Sequence, residues 1–348
     1  MEARLSFASD YMEGAHPSIM QRLAETNLCQ TPGYGQDHFT EEAKQKIRDC
    51  CQAPDAEIYF LTGGTQTNAT VIDALLMPYQ GVIAADTGHI SIHEAGAIEA
   101  GGHKVLTLPH HHGKISAGQI RSLLAEYQAD PNHEHMVMPG MVYLSQPTEY
   151  GTLYSLAELE DISRLCQEYR IPLYLDGARL AYALACSEND VSLQAIAALC
   201  DVFYIGGTKC GALFGEAVII NREGGIPHFF TMMKQHGALL AKGWLLGIQF
   251  DVLFSDRLYE RIGESAIAAA NRLREILRAN GIPLCFDSPT NQIFCIVENE
   301  LMSELARQVE FSFWEKYDGE HSVIRFATSW ATSMQDVEKM AGLLGKRT

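Results

Sequence analysis

Two stretches of the chain, IPLYLDGARL at residues 171–180 and DVFYIGGTKCG at residues 201–211, decide the fold. Each begins with a short apolar run of the length of a buried strand, and a helix-length segment separates them. This strand–helix–strand order predicts two neighbouring parallel strands joined by a crossover. Asp176 and Lys209, which follow the two strands, are therefore expected at the same edge of one sheet, where α/β proteins bind their ligands.

The same alternation of strand and helix extends outward from these stretches. It predicts an α/β fold with a mostly parallel, seven-stranded sheet covered by helices on both faces. The predicted strands lie at residues 57–61, 81–86, 104–108, within 136–145, and at 171–176, 201–207 and 216–221. Helices are predicted at residues 65–76, 90–101, 117–128 and 155–169.

The pattern changes near residue 255, where one long helix is predicted to run to Gly281. Beyond it, short strands alternate with helices in a way that is typical of a smaller α+β domain. We therefore predict a large domain at residues 1–254 and a small one at residues 255–348. The predicted elements of the small domain are a strand at 292–297, a helix at 300–310, a strand at 321–327 and a helix at 334–345.

Composition narrows the class of protein. The 348 residues have a formal net charge of −17 at pH 7, and an acidic surface repels nucleic acid and anionic membranes. No apolar run is long enough to span a bilayer. The nine cysteines include no CxxC pair, which favours reduced thiols and a cytoplasmic protein. His110, His111 and His112 precede a turn and favour a solvated loop, so no metal site is expected.

Lys209 and Asp176 suit the chemistry of pyridoxal phosphate (PLP). A lysine behind a buried strand, among glycines that permit unusual backbone angles, is partly desolvated and becomes a better nucleophile towards an aldehyde. A carboxylate opposite the pyridine nitrogen would keep that nitrogen protonated and strengthen the ring as an electron sink. Taken singly, a lysine leaving a turn and an aspartate capping a helix are the ordinary alternatives.

Three further segments suit the same chemistry. Gly64 and Thr65 open a helix behind a strand, and free amides at a helix N-terminus can bind phosphate. His89 could stack on a flat ring or act as acid or base, or it could cap a helix. Arg325 is a lone cation in an apolar strand, where a partner carboxylate from a Glu or a substrate is expected. The absence of G-x-G-x-x-G and of a P-loop motif counts against a dinucleotide fold and an NTPase.

Together these segments resemble the L-threonine aldolase branch of the β-eliminating lyase family, within the fold-type I PLP enzymes. The resemblance runs through most of the chain. It is most specific in FLTGGTQTN (60–68), GHISIHEAGAIEAGG (88–102), LYLDGARL (173–180) and YIGGTKCGALFGEAV (204–218).

The resemblance implies a role for each matching position. Lys209 would be the Schiff-base lysine, Asp176 the partner of the pyridine nitrogen, and His89 the histidine stacked on the ring and a catalytic residue. The phosphate would lie on Gly64 and Thr65, with help from Thr208. The substrate carboxylate would be held by Ser9, Arg179 and Arg325, and Arg179 would also contact the cofactor. Tyr34 and Lys242 would reach the site of a neighbouring subunit, Tyr34 at its substrate and Lys242 at its cofactor phosphate.

The implied activity is cleavage of L-threonine, L-allo-threonine or related β-hydroxy-α-amino acids to glycine and an aldehyde, in a homodimer or homotetramer with shared sites. Lys242 stands where the family commonly has an arginine, and residues 146–149 read QPTE where it commonly has a block like ENTH. β-Elimination or transamination on the same fold remains an alternative, because fold does not fix chemistry. A non-catalytic PLP-binding protein is a weaker one.

Overall fold

The computed structural model describes residues 4–345. Its strands, in chain order, are β1 (Leu5–Ser6), β2 (Glu57–Leu61), β3 (Gln80–Ala85), β4 (Val105–Leu108), β5 (Met138–Ser145), β6 (Leu173–Gly177), β7 (Val202–Gly206), β8 (Glu216–Ile220), β9 (Gln292–Glu298), β10 (Val309–Glu310), β11 (Ser312–Lys316) and β12 (His321–Ala327).

The helices, in chain order, are α1 (Pro17–Thr26), α2 (His38–Cys51), α3 (Gly64–Leu75), α4 (His89–Ile92), α5 (Ala97–Ala100), α6 (Ala117–Ala129), α7 (Leu156–Tyr169), α8 (Leu180–Leu184), α9 (Leu193–Leu199), α10 (Phe229–Gln235), α11 (Trp244–Leu253), α12 (Leu258–Ala279), α13 (Asn299–Leu305) and α14 (Met334–Leu344). Among residues 4–345 no helix has both the length and the apolar character needed to cross a membrane.

All seven strands predicted for the large sheet form, in the order β2-β8-β7-β6-β5-β3-β4. β8 runs antiparallel to its neighbours β2 and β7, and the other pairs are parallel. The predicted α/β fold with a mostly parallel sheet is thus confirmed. In β6, Leu173 and Leu175 belong to one hydrophobic core and Tyr174 to another, because alternate side chains of a strand point to opposite faces. The sheet therefore lies between two helical layers.

The C-terminal part has its own antiparallel sheet, in the order β11-β12-β9, packed with α12 and α14 around a third core. Residues near the start of the chain complete this third core, since β1 pairs with β10 and Phe7 lies in the core. The division of the chain at residue 254 stays a prediction.

Two predicted helices differ from the structure. The helix predicted at 90–101 is two single turns, α4 and α5, because Ala95 and Gly96 have positive φ angles of 51° and 74° between them. The helix predicted at 300–310 ends at Leu305, because Val309 and Glu310 form β10. The pairing partner of β10 lies some three hundred residues earlier, so no local pattern could reveal it.

Candidate active site

The predicted site residues lie at one edge of the large sheet. Asp176 is in register with Ser145 at the end of β5 and with Tyr204 near the end of β7. β2 also ends at this edge and leads directly into α3, while the turn after β7 holds Lys209. The crossover predicted from the sequence thus brings Asp176 and Lys209 to the same edge.

Two adjoining cavities open at this edge. The smaller, of about 280 Å³, is lined by Gly64, Thr65, Asp176 and Thr208 among others, and the larger, of about 590 Å³, by Arg325 and a group of aromatic side chains. His89, Glu149, Arg179 and Lys209 line both cavities. Lys209 therefore lies where the two meet.

Asp176 is buried at the base of the smaller cavity and fully hydrogen-bonded. Its Oδ1 accepts from the Tyr204 hydroxyl at 2.5 Å and the Ala178 amide at 3.0 Å, and its Oδ2 accepts from the Tyr143 hydroxyl at 2.6 Å and the Asn68 amide at 3.1 Å. Burial raises the pKa of Asp176, but the charge of His89 and these donors outweigh it, so that the pKa falls below its ordinary value. The carboxylate is held ionised.

Lys209 is enclosed on a turn that Glu216 holds in place. The Glu216 carboxylate accepts from the Gly207 amide at 3.1 Å and the Thr208 hydroxyl at 2.9 Å. Burial, and then the neighbouring charge of Arg179, lowers the pKa of Lys209. Since the neutral amine is the nucleophile, this environment favours attack on an aldehyde. A Cβ at Gly206 would collide with the Ala178 backbone, so this strand end requires glycine.

The N-terminus of α3 lines the smaller cavity and can bind an anion there. Gly63 caps the helix without a side-chain hydrogen bond, and the first intrahelical bond runs from the Thr67 amide to the Gly63 carbonyl. The amides of residues 64–66 take part in none of the hydrogen bonds of the described residues. Unpaired amides at a helix N-terminus bind phosphate groups.

His89 is fixed by two buried carboxylates. Its Nδ1 lies 2.6 Å from Glu94 Oε1, and its backbone amide donates to Glu149 Oε1 at 2.9 Å. Asn68 joins this pair to Asp176, since its Nδ2 also donates to Glu94 at 2.7 Å. Burial raises the pKa of Glu94. His89 is thus fixed in position where it lines both cavities.

The two arginines differ in their partners. Arg179 donates from Nε and Nη2 to Asp10, at 2.6 and 3.0 Å. Arg325 has no carboxylate partner in residues 4–345, and donates to Gln292, the Ala8 carbonyl and Ser312. Its Nε is buried without any hydrogen bond, and burial lowers its pKa to about 10. An uncompensated, buried guanidinium in a cavity is suited to bind a carboxylate ligand.

With this geometry established, comparison with known proteins identifies the family. The family model described as "Beta-eliminating lyase" matches residues 6–300. The chain belongs to this family. It is 32% identical over 341 residues to a low specificity L-threonine aldolase of Pseudomonas aeruginosa, covering 96% of this chain and 95% of that protein.

Solved structures agree. A Leishmania major threonine aldolase has a TM-score of 0.95 and 44% identity, and the match covers 98% of this chain and 99% of that one. An aspartate aminotransferase of Thermus thermophilus, with a TM-score of 0.73 and 14% identity over 99% and 91% of the two chains, shares the fold alone. The family and the fold type predicted from the sequence are confirmed.

Most predicted site residues of this β-eliminating lyase converge, and three lie apart from the cavities. Ser9 has its hydroxyl buried without a partner, beside the Ala8 carbonyl that accepts from Arg325. Tyr34 is 44% exposed and Lys242 lies on the surface, and neither lines either cavity of this chain. Their predicted contact with a neighbouring subunit stays a prediction.

Sequence reasoning overlooked the hydrogen-bonding partners of the site. For Asp176 these are Tyr143, Tyr204 and Asn68, and a signal existed, since tyrosines recur in three neighbouring predicted strands. Glu149 and Glu216 had no comparable signal, because a glutamate in a loop or at a strand start is normally solvated. Among the described residues, no group of His, Cys, Asp and Glu has the arrangement of a metal site.

Proposed function

We propose that this chain is a PLP-dependent aldolase that cleaves L-threonine, L-allo-threonine and related β-hydroxy-α-amino acids to glycine and an aldehyde. The proposal rests on one observation: a buried amine, a buried carboxylate and a helix N-terminus surround one small cavity, and an uncompensated arginine lines the next. The named activities of the similar proteins support it.

The donor groups of the smaller cavity fit PLP. The unpaired amides of residues 64–66, with Thr65 and Thr208, would hold the phosphate. Asp176 would face the pyridine nitrogen, and Lys209 would bind the aldehyde carbon covalently. When bound, the cofactor supplies an electron sink joined to the α-carbon of the substrate.

The protein's own residues would orient and activate the substrate. Arg325, together with Arg179, would hold the substrate carboxylate in the larger cavity. The contact predicted for Ser9 stays a prediction, since Ser9 lines neither cavity. Fixing that carboxylate sets the rotation about the Cα bonds and aligns the bond to be broken with the cofactor. His89, held by Glu94, would cover the cofactor ring. The aromatic lining of the larger cavity leaves room for the β-substituent.

We also propose that the enzyme is a cytoplasmic homodimer or homotetramer, in which Tyr34 and Lys242 extend into the site of a neighbouring subunit. Tyr34 has a φ angle of 60° and is exposed beside Lys234, whose Nζ lies 4.7 Å from the centre of its ring. Both features suit a residue that is positioned for a contact outside its own chain.

Cofactor binding is the first test. The purified protein should show a visible absorbance band from PLP that borohydride removes, and Lys209→Ala should lose it. Lys104→Ala, at an exposed lysine, is the control and should keep the band. A folded wild-type protein that takes up no PLP would refute the proposal.

A product assay is the second test. L-Threonine should yield glycine and acetaldehyde in equal amounts, detected by amino-acid analysis and by coupled reduction of the aldehyde. Formation of 2-oxobutyrate and ammonia instead would identify β-elimination. Transfer of the amino group to an added 2-oxo acid, giving a new amino acid, would identify transamination.

A further inference from the structure

Glu149 is a buried acid that the proposed function leaves without a role. It follows β5, is only 8% exposed, and lines both the cofactor-sized cavity and the larger one. Lys209, His89 and Arg179 share that position at the junction of the cavities. A carboxylate placed between a cofactor site and a substrate site is close to the atoms that react.

The hydrogen bonds of Glu149 orient one oxygen and leave the other available. Oε1 accepts from the His89 amide at 2.9 Å and the Ser145 hydroxyl at 2.7 Å. Oε2 takes part in none of the hydrogen bonds between side chains of residues 4–345. Two donors from different elements thus hold Oε1, and Oε2 has no side-chain partner among these residues and can accept a proton. The backbone amide of Glu149 itself also favours the ionised form.

The surroundings also adjust the basicity of Glu149. Burial raises its pKa, the Asp176 carboxylate of β6 adds to the rise, and the Ser145 hydroxyl and the charge of His89 on α4 oppose it. Arg179 and the phenols of Tyr143 and Tyr154 also face it. A base whose pKa is raised towards the working pH transfers protons more effectively than an ordinary glutamate.

The other candidate bases are already engaged. The Nδ1 of His89 is occupied by Glu94, and under the proposed function its ring would cover the cofactor. Lys209 is needed to bind the cofactor itself. Asp176, Asp10 and Glu216 each accept donors on both carboxyl oxygens. Glu94 lines neither cavity.

We propose that Glu149 is the general base of the cleavage and takes the proton of the substrate's β-hydroxyl group. The inference rests on the proposed aldolase function. As the O–H bond breaks, its electron pair becomes the second bond of the aldehyde carbonyl, and the Cα–Cβ bond breaks. The Cα–Cβ electron pair would stay with the α-carbon, for which the bound cofactor would supply the electron sink. A proton from solvent added at Cα gives glycine, and Glu149 returns its proton to solvent.

The test separates the β-hydroxyl step from every other step. Glu149→Gln keeps the shape of the side chain, and its amide oxygen can still accept from His89 and Ser145. We expect cleavage of L-threonine to slow by about 10²–10⁴-fold, the usual contribution of a general base. Exchange of the glycine α-proton in D₂O, followed by NMR, should stay within about threefold of wild type, since glycine has no β-hydroxyl group. PLP affinity and absorbance should also be unchanged.

Two variants and a pH profile complete the design. Glu149→Asp keeps the carboxylate on a side chain one methylene shorter, and should recover part of the rate. Its kcat/KM should still fall at acidic pH. In Glu149→Gln that fall should be absent from the residual activity. Glu160→Gln removes an exposed glutamate of α7 and controls for the loss of one surface charge.

The outcomes are distinct. Glu149→Gln with near-normal cleavage and an unchanged pH profile would overturn the assignment. So would a parallel loss of cleavage, glycine exchange and PLP binding, because that pattern indicates a structural role. Wild-type protein that binds PLP and exchanges glycine but does not cleave threonine would instead overturn the proposed aldolase function.

Discussion

Removal of Asp10 should destabilise the protein and show how tightly the site's charges are balanced. Asp10 is fully buried and accepts from Arg179 at 2.6 and 3.0 Å and from the Asn291 amide at 2.9 Å. Burial raises the pKa of Asp10, but the charges of Arg179 and Lys209 outweigh it and lower the pKa from 3.8 to about 2. The folded protein therefore holds Asp10 as a carboxylate.

The size of the effect follows from that pKa. Since each pKa unit is worth about 1.36 kcal/mol, the depressed pKa of Asp10 contributes roughly 2 kcal/mol to folding. This contribution is fully present above pH 3.8 and is lost as the pH falls towards 2. Asp10→Ala should cost more, about 3–5 kcal/mol, because it leaves the Arg179 guanidinium buried without its counter-ion.

The measurement is urea unfolding at pH 7, with wild type, Asp10→Asn and Asp10→Ala. Asp55→Ala is the matched control, since Asp55 is exposed and its side chain takes part in no hydrogen bond or ion pair of the described residues, and it should stay within about 0.5 kcal/mol of wild type. A free energy of unfolding for Asp10→Ala within that same range would refute the reasoning, because the buried pair would then contribute nothing measurable.

Three other substitutions test separate parts of the site. Arg325→Gln should raise the KM for L-threonine about 10–100-fold with a smaller change in kcat, since a charge-assisted contact is worth about 1.5–3 kcal/mol; an unchanged KM would contradict its role. Tyr204→Phe removes a hydrogen-bond donor to Asp176 and should weaken PLP binding by about 10-fold or more in a spectroscopic titration. An unchanged affinity would show that this hydrogen bond does not help Asp176 to bind the cofactor. Lys242→Ala should weaken PLP binding without changing the unfolding free energy, and unaltered affinity would remove Lys242 from the proposed shared site.

The sheet could be predicted because its strands are buried on both faces. β6, β7 and β8 are wholly buried, so each appears in the sequence as an apolar run bounded by polar or glycine residues. β10 could not be predicted, since its partner β1 is two residues long and distant in the chain. The break between α4 and α5 could not be predicted either, because it depends on the positive φ angle of Ala95 rather than on the periodicity of side chains.

Some residues of the site could likewise be predicted from the sequence, and others could not. Asp176 and Lys209 could be placed from the sequence because a strand end fixes the position of the residue that follows it. Glu149 could not, because nothing in the QPTEYG segment marks its glutamate as buried. Its environment is made by His89 at the start of α4 and Ser145 at the end of β5. Tertiary contacts, rather than local pattern, turn an ordinary glutamate into a candidate base.

The distribution of charge across the two cavities determines how an amino acid would lie in them. The smaller cavity is lined by Asp176, which stays ionised, and by Glu216, which is mostly neutral at pH 7 because burial raises its pKa to about 8. The larger cavity is lined by Arg325, which pairs with no carboxylate of residues 4–345. A substrate carboxylate is therefore attracted towards Arg325, and its amino group is directed back towards Lys209, where the cavities meet. In that orientation the β-carbon would lie where the two cavities meet, which Glu149 also lines.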